Sequence, residues 1–293
     1  MKFSILIPTW NNLPMLKLCI ESIEKNSRYK HQILLYINDG KDGTLEWVKK
    51  SGYEYIHAVE NRGVCYALNS LRSLVRTQYI CFANDDMYLL PDWDYYLCEE
   101  IESLPDNKFF LSSTLLQPRK FYCKSVISPA NYGRTVESFK EEALLKEYSS
   151  YKHSDWYGAT WPVNVVHRDM WDEVGGYSIE YSPGMYSDPD FSAKLYLAGV
   201  RYFKGLDKSR VYHFEAVSTG RVKKNKGSRQ FLMKWGITSR TFVDCILKRG
   251  EPIVGEYNAL PNHKKLGGMR TKSKIKRALL GFKASGAVFK IWQ

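Results

Sequence analysis

The sequence has no C-x-x-C pair, although it carries 6 cysteines: Cys19, Cys65, Cys81, Cys98, Cys123 and Cys245. Most lie in apolar runs, so they read as reduced, mostly buried thiols, which excludes a disulfide framework and a zinc site. No apolar run approaches the roughly 20 residues that cross a bilayer. The apolar stretch before Pro8 is too short for a secretory leader, so the expected location is the cytosol. Neither G-x-x-x-x-G-K-S/T nor G-x-G-x-x-G occurs, and Asn38–Thr44, with its two glycines, reads as a turn. There is no internal repeat and no low-complexity segment. Acidic residues are nearly missing from the last quarter. Residues 1–220 hold 25 Lys and Arg against 28 Asp and Glu, whereas residues 221–293 hold 18 against 3, so the tail carries the whole excess of +12. That split marks a boundary near Arg221 and a tail that faces something anionic or is well solvated.

What is present is enough for a large buried core: 293 residues, 44% of them apolar and 14% aromatic. Phe3–Pro8 is a nearly continuous apolar run, the pattern of a strand buried on both faces. Helical spacing follows at Met15, Leu16, Leu18, Cys19 and Ile23. Ile33–Ile37, Tyr53–Val59 and Tyr79–Ala83 read as further strands. Thr44 is placed to cap one intervening helix, and Val64–Val75 reads as another. Strand–helix alternation of this kind predicts a parallel, doubly wound sheet, with ligands beyond the carboxyl ends of its strands. The polar clusters Thr9–Asn12, Asn38–Gly40 and Asn84–Asp86 fall at those ends. Later, Lys140–Tyr148 reads as a helix, Val163–His167 as a strand, and Asp188–Ala198 as a helix with Asp188 placed to cap it and Pro189 in its first turn.

Three clusters carry chemistry. Asp85 and Asp86 at a strand end repel each other unless a cation or hydrogen-bond donors neutralise them, and Mg²⁺-like ions share such carboxylates with a diphosphate; an acidic turn would look the same. Asp188 can take a proton from an attacking hydroxyl, or can simply cap its helix. His213, after Val211 and Tyr212, suits a metal ligand, a base or a structural role.

The order Pro8-Thr9, Asp39-Gly40, Asn61-Arg62-Gly63, Asn84-Asp85-Asp86, Gly158-Ala159, Gly175-Gly176-Tyr177, Asp188-Pro189-Asp190, His213 resembles the inverting family 2 glycosyltransferases of the GT-A fold, over roughly residues 1–220. The resemblance implies a Rossmann-like, mostly parallel sheet flanked by helices. It implies that Pro8, Thr9 and Asn11 line a nucleotide pocket, that Asp39 contacts base or ribose, and that Asn61 and Gly63 continue that wall. Asn84, Asp85 and Asp86 then match the aspartate-x-aspartate motif, with Asp86 as metal ligand. Gly158 and Ala159 approach the donor sugar, Asp188 is the base with Asp190 its fallback, and His213 is a second metal ligand for Mn²⁺ or Mg²⁺. Three positions depart from the family: Asn84 replaces an aspartate, Ser187 replaces a glutamate, and Lys194 stands where arginine is common.

The implied reaction moves a sugar from a nucleotide-diphosphate sugar to a hydroxyl of a glycan or lipid-linked glycan, as in cell-surface polysaccharide synthesis. Two alternatives are an acceptor in nucleic acid, a modified base, and a non-catalytic sugar-nucleotide-binding module. Residues 221–293 form a basic, helical extension outside the resemblance. Arg221–Arg229 reads as a linker, and Phe231–Ile246 as a helix that packs Trp235, Phe242 and Val243 on the catalytic domain. Ile275, Leu279, Phe282 and Phe289 fall near one helical face among Lys272, Lys274, Lys276, Arg277, Lys283 and Lys290, with Trp292 following. That pattern suits an anionic membrane surface, peripheral on its inner face, or a helix docked on its own domain.

Overall fold

A computed structural model describes residues 1–215 and 225–280. The N-terminal half alternates β1 (Phe3–Trp10), α1 (Leu13–Asn26), β2 (Gln32–Asn38), α2 (Thr44–Ser51), β3 (Glu54–Ala58), α3 (Val64–Leu71), β4 (Tyr79–Phe82), β5 (Met87–Leu89) and α4 (Trp93–Ser103). There follow β6 (Phe109–Leu116), β7 (Val126–Ile127), α5 (Glu141–Glu147), β8 (Trp156–Tyr157), β9 (Asn164–His167), α6 (Arg168–Glu173), α7 (Ser187–Leu197) and β10 (Tyr202–His213). The extension contributes α8 (Gly227–Trp235), α9 (Ser239–Thr241), which runs into a π turn, and α10 (His263–Leu279).

One sheet runs β3-β2-β1-β4-β9-β6-β10-β5, with β7 beside β6 and β8 beside β10. The strands β3, β2, β1 and β4 are mutually parallel, whereas β9, β5 and β8 pair antiparallel. The alternation of side chains along a strand sorts the core into two layers. Phe3, Ile5 and Ile7 of β1 face α1, α2 and α4 through Leu16, Ile20, Val48, Trp93 and Leu97. Leu6 faces the opposite layer, with Leu68 of α3, Trp171 of α6 and Phe191 of α7. A third, smaller cluster packs Leu144 of α5 on Tyr88, Tyr212 and Phe214.

The short β5, β7 and β8 and two long strands, β6 and β10, escaped the sequence reading. β6 is buried along its whole length, but Ser112-Ser113-Thr114 interrupts its apolar run. Each hydroxyl is spoken for: Ser112 donates to the Trp161 carbonyl at 2.9 Å, Ser113 pairs with Ser209 at 2.7 Å, and Thr114 donates to the Leu206 carbonyl at 2.8 Å. β10 is disguised by charge. Its Lys204 reaches Glu100 and Asp155, and its Arg210 reaches Asp207, so these charges are paired at the sheet.

The helix starts also differ. Thr44 is the first helical residue, the cap position is a left-handed Gly43, and Asp42 before it accepts from the Thr44 amide at 3.1 Å and hydroxyl at 2.6 Å. Helix α7 begins at Ser187 after a left-handed Tyr186, which puts Asp188 inside the first turn and leaves it no capping bond. The helix expected over Phe231–Ile246 is cut in two. Gly236 adopts φ 73°, and the Thr238 hydroxyl starts the next turn by accepting from the Thr241 amide.

The extension is not a detached tail. Phe231, Trp235, Ile237, Phe242, Val243 and Leu266 share one hydrophobic cluster with α3, α6 and α7. Gly227 opens α8 instead of belonging to a linker; Arg221–Lys224 lie outside the described residues. Helix α10 does dock, but through Leu266, Ser273 and Arg277. Ile275 and Leu279, expected on the apolar face, are 57% and 81% exposed. Phe282, Lys283, Phe289, Lys290 and Trp292 lie outside the described residues.

The joint between extension and sheet is Asp190, fully buried in α7. It accepts from the Trp235 indole at 2.8 Å and pairs with Lys234 at 3.0 Å. Removing one member of such a pair leaves an uncompensated buried group. Lys234→Met, which strands the fully buried Asp190 carboxylate, is therefore expected to lower unfolding free energy by about 3 kcal/mol, measured by denaturant titration, and Asp190→Ala by less, because the Lys234 left behind keeps partial contact with water and its pair with Glu180.

Candidate active site

The cavity begins where two strands part. Leu6 accepts a hydrogen bond from the Ala83 amide at 3.2 Å, where the backbone pairing between β1 and the chain leaving β4 ends. Pro8 has the same orientation two residues on, so its missing N–H falls on the side where β4 has ended. Beyond that point β1 stays with β2 as far as Trp10, while the chain from β4 turns away as Asn84-Asp85-Asp86. The opening is a cavity of about 480 Å³.

One wall is carboxylate-rich. The Thr9 hydroxyl donates to Asp85 at 2.6 Å across the gap between β1 and the β4 end. The antiparallel register of β5 and β10 sets His213 opposite Met87, which brings the imidazole to the neighbouring Asp86. His213 Nε2 lies 3.4 Å from Asp86 Oδ2, and the Phe214 amide donates to the Asp86 carbonyl at 3.1 Å. Burial would push the His213 imidazole down, yet the Asp86 carboxylate outweighs it and the net displacement is upward. Gln117, at the end of β6, meets His213 Nδ1 at 2.9 Å. Asp86 and His213 thus form a carboxylate–imidazole pair, two side chains that could hold a divalent cation. Among the described residues no group of three or more His, Cys, Asp and Glu forms a complete protein cage.

A second wall holds the nucleotide-side residues. Asn38 links the two halves of it: its amide donates to the Thr9 carbonyl at 3.3 Å, and its carbonyl oxygen accepts from the Arg62 amide at 2.8 Å. Asn61 accepts from the Gly63 amide at 2.9 Å. Gly63 has φ +80°, and a Cβ there would sit 2.7 Å from Pro183 Cα, so only glycine lets this wall touch the Pro183 loop. Asn11 and Asp39 sit behind the wall, away from the cavity lining. Asn11 accepts from the Gly40 amide at 2.9 Å and donates to Asp39 at 3.1 Å, and that bond, with Lys41 beside it, lowers the Asp39 carboxyl from its ordinary value.

Asp188 lines the cavity too, with Ser187, Pro183, Gly184 and Met185, the segment that Gly63 touches at Pro183. Its helix-start position favours an anion, but the structure reverses that expectation. Burial raises its carboxyl to about 7, against the opposing influence of Arg249 and Tyr177. Some solvent contact remains on the cavity side. Desolvation outweighs the macrodipole here, as it can by several pKa units in a protein interior.

Of the predicted residues, the cavity gathers Pro8, Thr9, Asn61, Gly63, Asn84, Asp85, Asp86, Asp188 and His213. It does not gather Asp190, which anchors the extension, nor Gly158 and Ala159. Ala159 is core, and Gly158 abuts the Arg249 backbone, where an added Cβ would meet Cα at 2.6 Å. Trp161 and Pro162, slightly further along, line the cavity instead. Gln117, Arg119 and Phe121 were missed because β6 was missed; the rule that ligands lie beyond strand carboxyl ends would have found them.

Residues 4–114 match the family described as Glycosyl transferase family 2. Among solved structures, residues 1–349 of S. aureus TarS are similar with a TM-score of 0.53 and 14% identity, over 73% of this chain and 60% of that one. The same TarS segment in complex with UDP matches at 0.53 and 14%, over 72% and 60%. Its complex with UDP-GlcNAc matches at 0.51 and 14%, over 72% and 58%. The chain therefore spans less than two thirds of the TarS segment's length. At these identities the likeness shows the fold, a mixed α/β sheet of the GT-A kind flanked by helices. No curated protein matches the sequence.

A carboxyl raised above its unfolded value binds a proton in the folded state that the unfolded chain has released. Its contribution to stability is complete below about pH 4 and is lost as pH rises toward about 7. Asp188→Asn should accordingly raise Tm at pH 8 and bring no gain at pH 4, checked by thermal denaturation across that range.

Proposed function

We propose, for a chain whose residues 4–114 match glycosyl transferase family 2, that it transfers a sugar, with inversion, from a nucleoside-diphosphate sugar to a hydroxyl of a glycan or lipid-linked glycan. The observation that carries this reading is the gathering of this chemistry in one cavity: Asp85, Asp86, His213 and Asp188 all line it. The TarS complexes with UDP and UDP-GlcNAc support a donor of that class. The aromatic and apolar rim, Phe121, Trp161 and Met185, suits the C–H faces of a sugar acceptor.

In this reading Asn61 and Gly63 border the nucleotide, and Thr9 holds Asp85 in place. Asp86 and His213 would hold a divalent cation, which when bound supplies neutralisation of charge on a departing diphosphate. The acceptor oxygen attacks the anomeric carbon, the bond from that carbon to the diphosphate oxygen breaks with its electron pair leaving on the diphosphate, and the acceptor proton passes to Asp188. A carboxylate whose proton affinity lies near neutrality is a stronger base than an ordinary aspartate while still ionised at working pH. The basic exposed side of α10, with Lys264, Lys265, Lys272, Lys274 and Lys276 around Ile275, supports contact with an anionic surface such as the membrane bearing a lipid-linked acceptor. Among the described residues no helix is long and apolar enough to cross that membrane.

Asp188→Asn should keep donor affinity and lower turnover by at least roughly 10², measured by nucleotide release, and the wild-type product should carry the anomeric configuration opposite to the donor's. Retention of configuration, or near-normal turnover in Asp188→Asn, would overturn the mechanism. Asp86→Ala should abolish metal-dependent nucleotide binding in a thermal-shift titration; unchanged binding in the folded variant would remove the proposed cation site.

A further inference from the structure

Strands β6 and β10 run parallel, and the last pair in their register is Leu116 beside Tyr212. One residue further on each chain stand Gln117 and His213, both lining the cavity. Gln117 is held at both ends of its peptide unit. Its amide donates to the Ile127 carbonyl at 3.0 Å, and its carbonyl accepts from the Ala130 amide at 2.7 Å. The residue is 7% exposed, so its side chain is buried at the cavity floor. Its Nε2 lies 2.9 Å from His213 Nδ1, and among the described residues this is the one hydrogen-bond partner of that nitrogen. Its Oε1 is buried and meets no partner among the described residues.

The chemistry of the two groups fixes what this contact means. A neutral imidazole carries one N–H and one lone pair, and an amide nitrogen only donates. With Nε2 of Gln117 against it, Nδ1 must be the acceptor, so the ring proton sits on Nε2 and faces Asp86 Oδ2 at 3.4 Å. That tautomer cannot offer Nε2 to a cation shared with Asp86, because the lone pair is on the other nitrogen. Offering Nε2 requires a proton on Nδ1, and a buried Nδ1–H requires an acceptor. The acceptor is already within reach. The terminal torsion of a glutamine is broad and close to two-fold, so a half turn brings Oε1 to the place of Nε2. Because the far end of the amide has no partner, the turn breaks no other bond of Oε1. Histidines that ligate metals are held in this way, by an oxygen acceptor on the second ring nitrogen.

We propose that Gln117 is a positioning residue of the cation site: by turning its side-chain oxygen to Nδ1, it holds His213 in the tautomer that presents Nε2 beside Asp86. The proposal rests on the reading of Asp86 and His213 as the pair that holds a divalent cation. The change balances without net charge. One proton leaves Nε2 for cavity water, one is taken from cavity water by Nδ1, and the ring stays neutral.

Two measurements on the full chain test it. The first is the affinity for Mn²⁺ in the presence of UDP, by calorimetry, in the wild type, Gln117→Met and His213→Ala. Gln117→Met keeps the length of the side chain but gives Nδ1 no acceptor, and should weaken Mn²⁺ binding by about 10-fold or more. The second is the ¹⁵N spectrum of histidine-labelled protein at about pH 8.5, two units above the ordinary imidazole value, with the His213 signals assigned by their loss in His213→Ala. The wild-type proton should sit on Nε2 without added metal and on Nδ1 with Mg²⁺ and UDP. A merely structural Gln117 would leave it on the same nitrogen in both states. A proton that stays on Nε2 in the wild type saturated with Mg²⁺ and UDP overturns the proposal, as does wild-type Mn²⁺ affinity in folded Gln117→Met. If Gln117→Met does not fold, Gln117→Asn, which keeps the amide but falls one methylene short of the ring, is read by the same criterion. Undiminished Mn²⁺ binding in His213→Ala removes the cation site itself; weakened binding in His213→Ala beside wild-type binding in Gln117→Met removes the role of Gln117 alone.

Discussion

The site exists because β1 and β4 stop pairing before either chain has left the sheet. Up to the bond between Leu6 and Ala83 they are ordinary parallel neighbours. Past it, Pro8 offers no donor, and the two chains are free to carry Thr9 and Asp85 to opposite lips of a gap. A strand that had continued would have filled the cavity with backbone. The His213 wall depends on the same parting. Only because the β4 chain turns at Asn84-Asp85-Asp86 can it come back as β5 and take the antiparallel place beside β10 that brings Asp86 to His213.

Two carboxylates on one helix turn show how environment assigns roles. Asp188 and Asp190 both lie in the first turn of α7, where the macrodipole favours anions equally. Asp190 points into the junction with α8 and receives an indole and an ammonium. Asp188 points at the cavity and receives neither, so burial dominates its proton affinity. Helix position alone would have treated them alike.

Much of this was legible in the sequence, for identifiable reasons. The N-terminal strands were readable because burial on both faces leaves unbroken apolar runs such as Phe3–Ile7. The carboxylates Asp85, Asp86 and Asp188 were readable because they stand at element boundaries, where the chain order resembles a known family. β6 and β10 were not readable, since their hydroxyls and charges are satisfied by partners far along the chain, Ser209 for Ser113 and Glu100 for Lys204. Gly158 was noticed as a small residue at a plausible place, but the neighbour that requires it to be small is the Arg249 backbone, not a sugar. The break at Gly236 was written plainly in Gly236-Ile237-Thr238, a stop followed by a cap, and was passed over in favour of a longer amphipathic pattern.

The joint between the extension and the sheet has a bearing on how the molecule is made. During synthesis the chain emerges N-terminus first, so the family-like segment is free of the ribosome while residues beyond 220 are still inside the tunnel or unmade. At that moment Asp190 is a carboxylate without Trp235 or Lys234, and Gly158 has no Arg249 backbone against it. The sheet can begin to form from local strand–helix units, but its inner layer closes only when Phe231, Trp235 and Phe242 arrive. A product of premature termination within residues 221–230 would therefore be an unfinished fold exposing an apolar face, a substrate for chaperones and proteases rather than a smaller working enzyme.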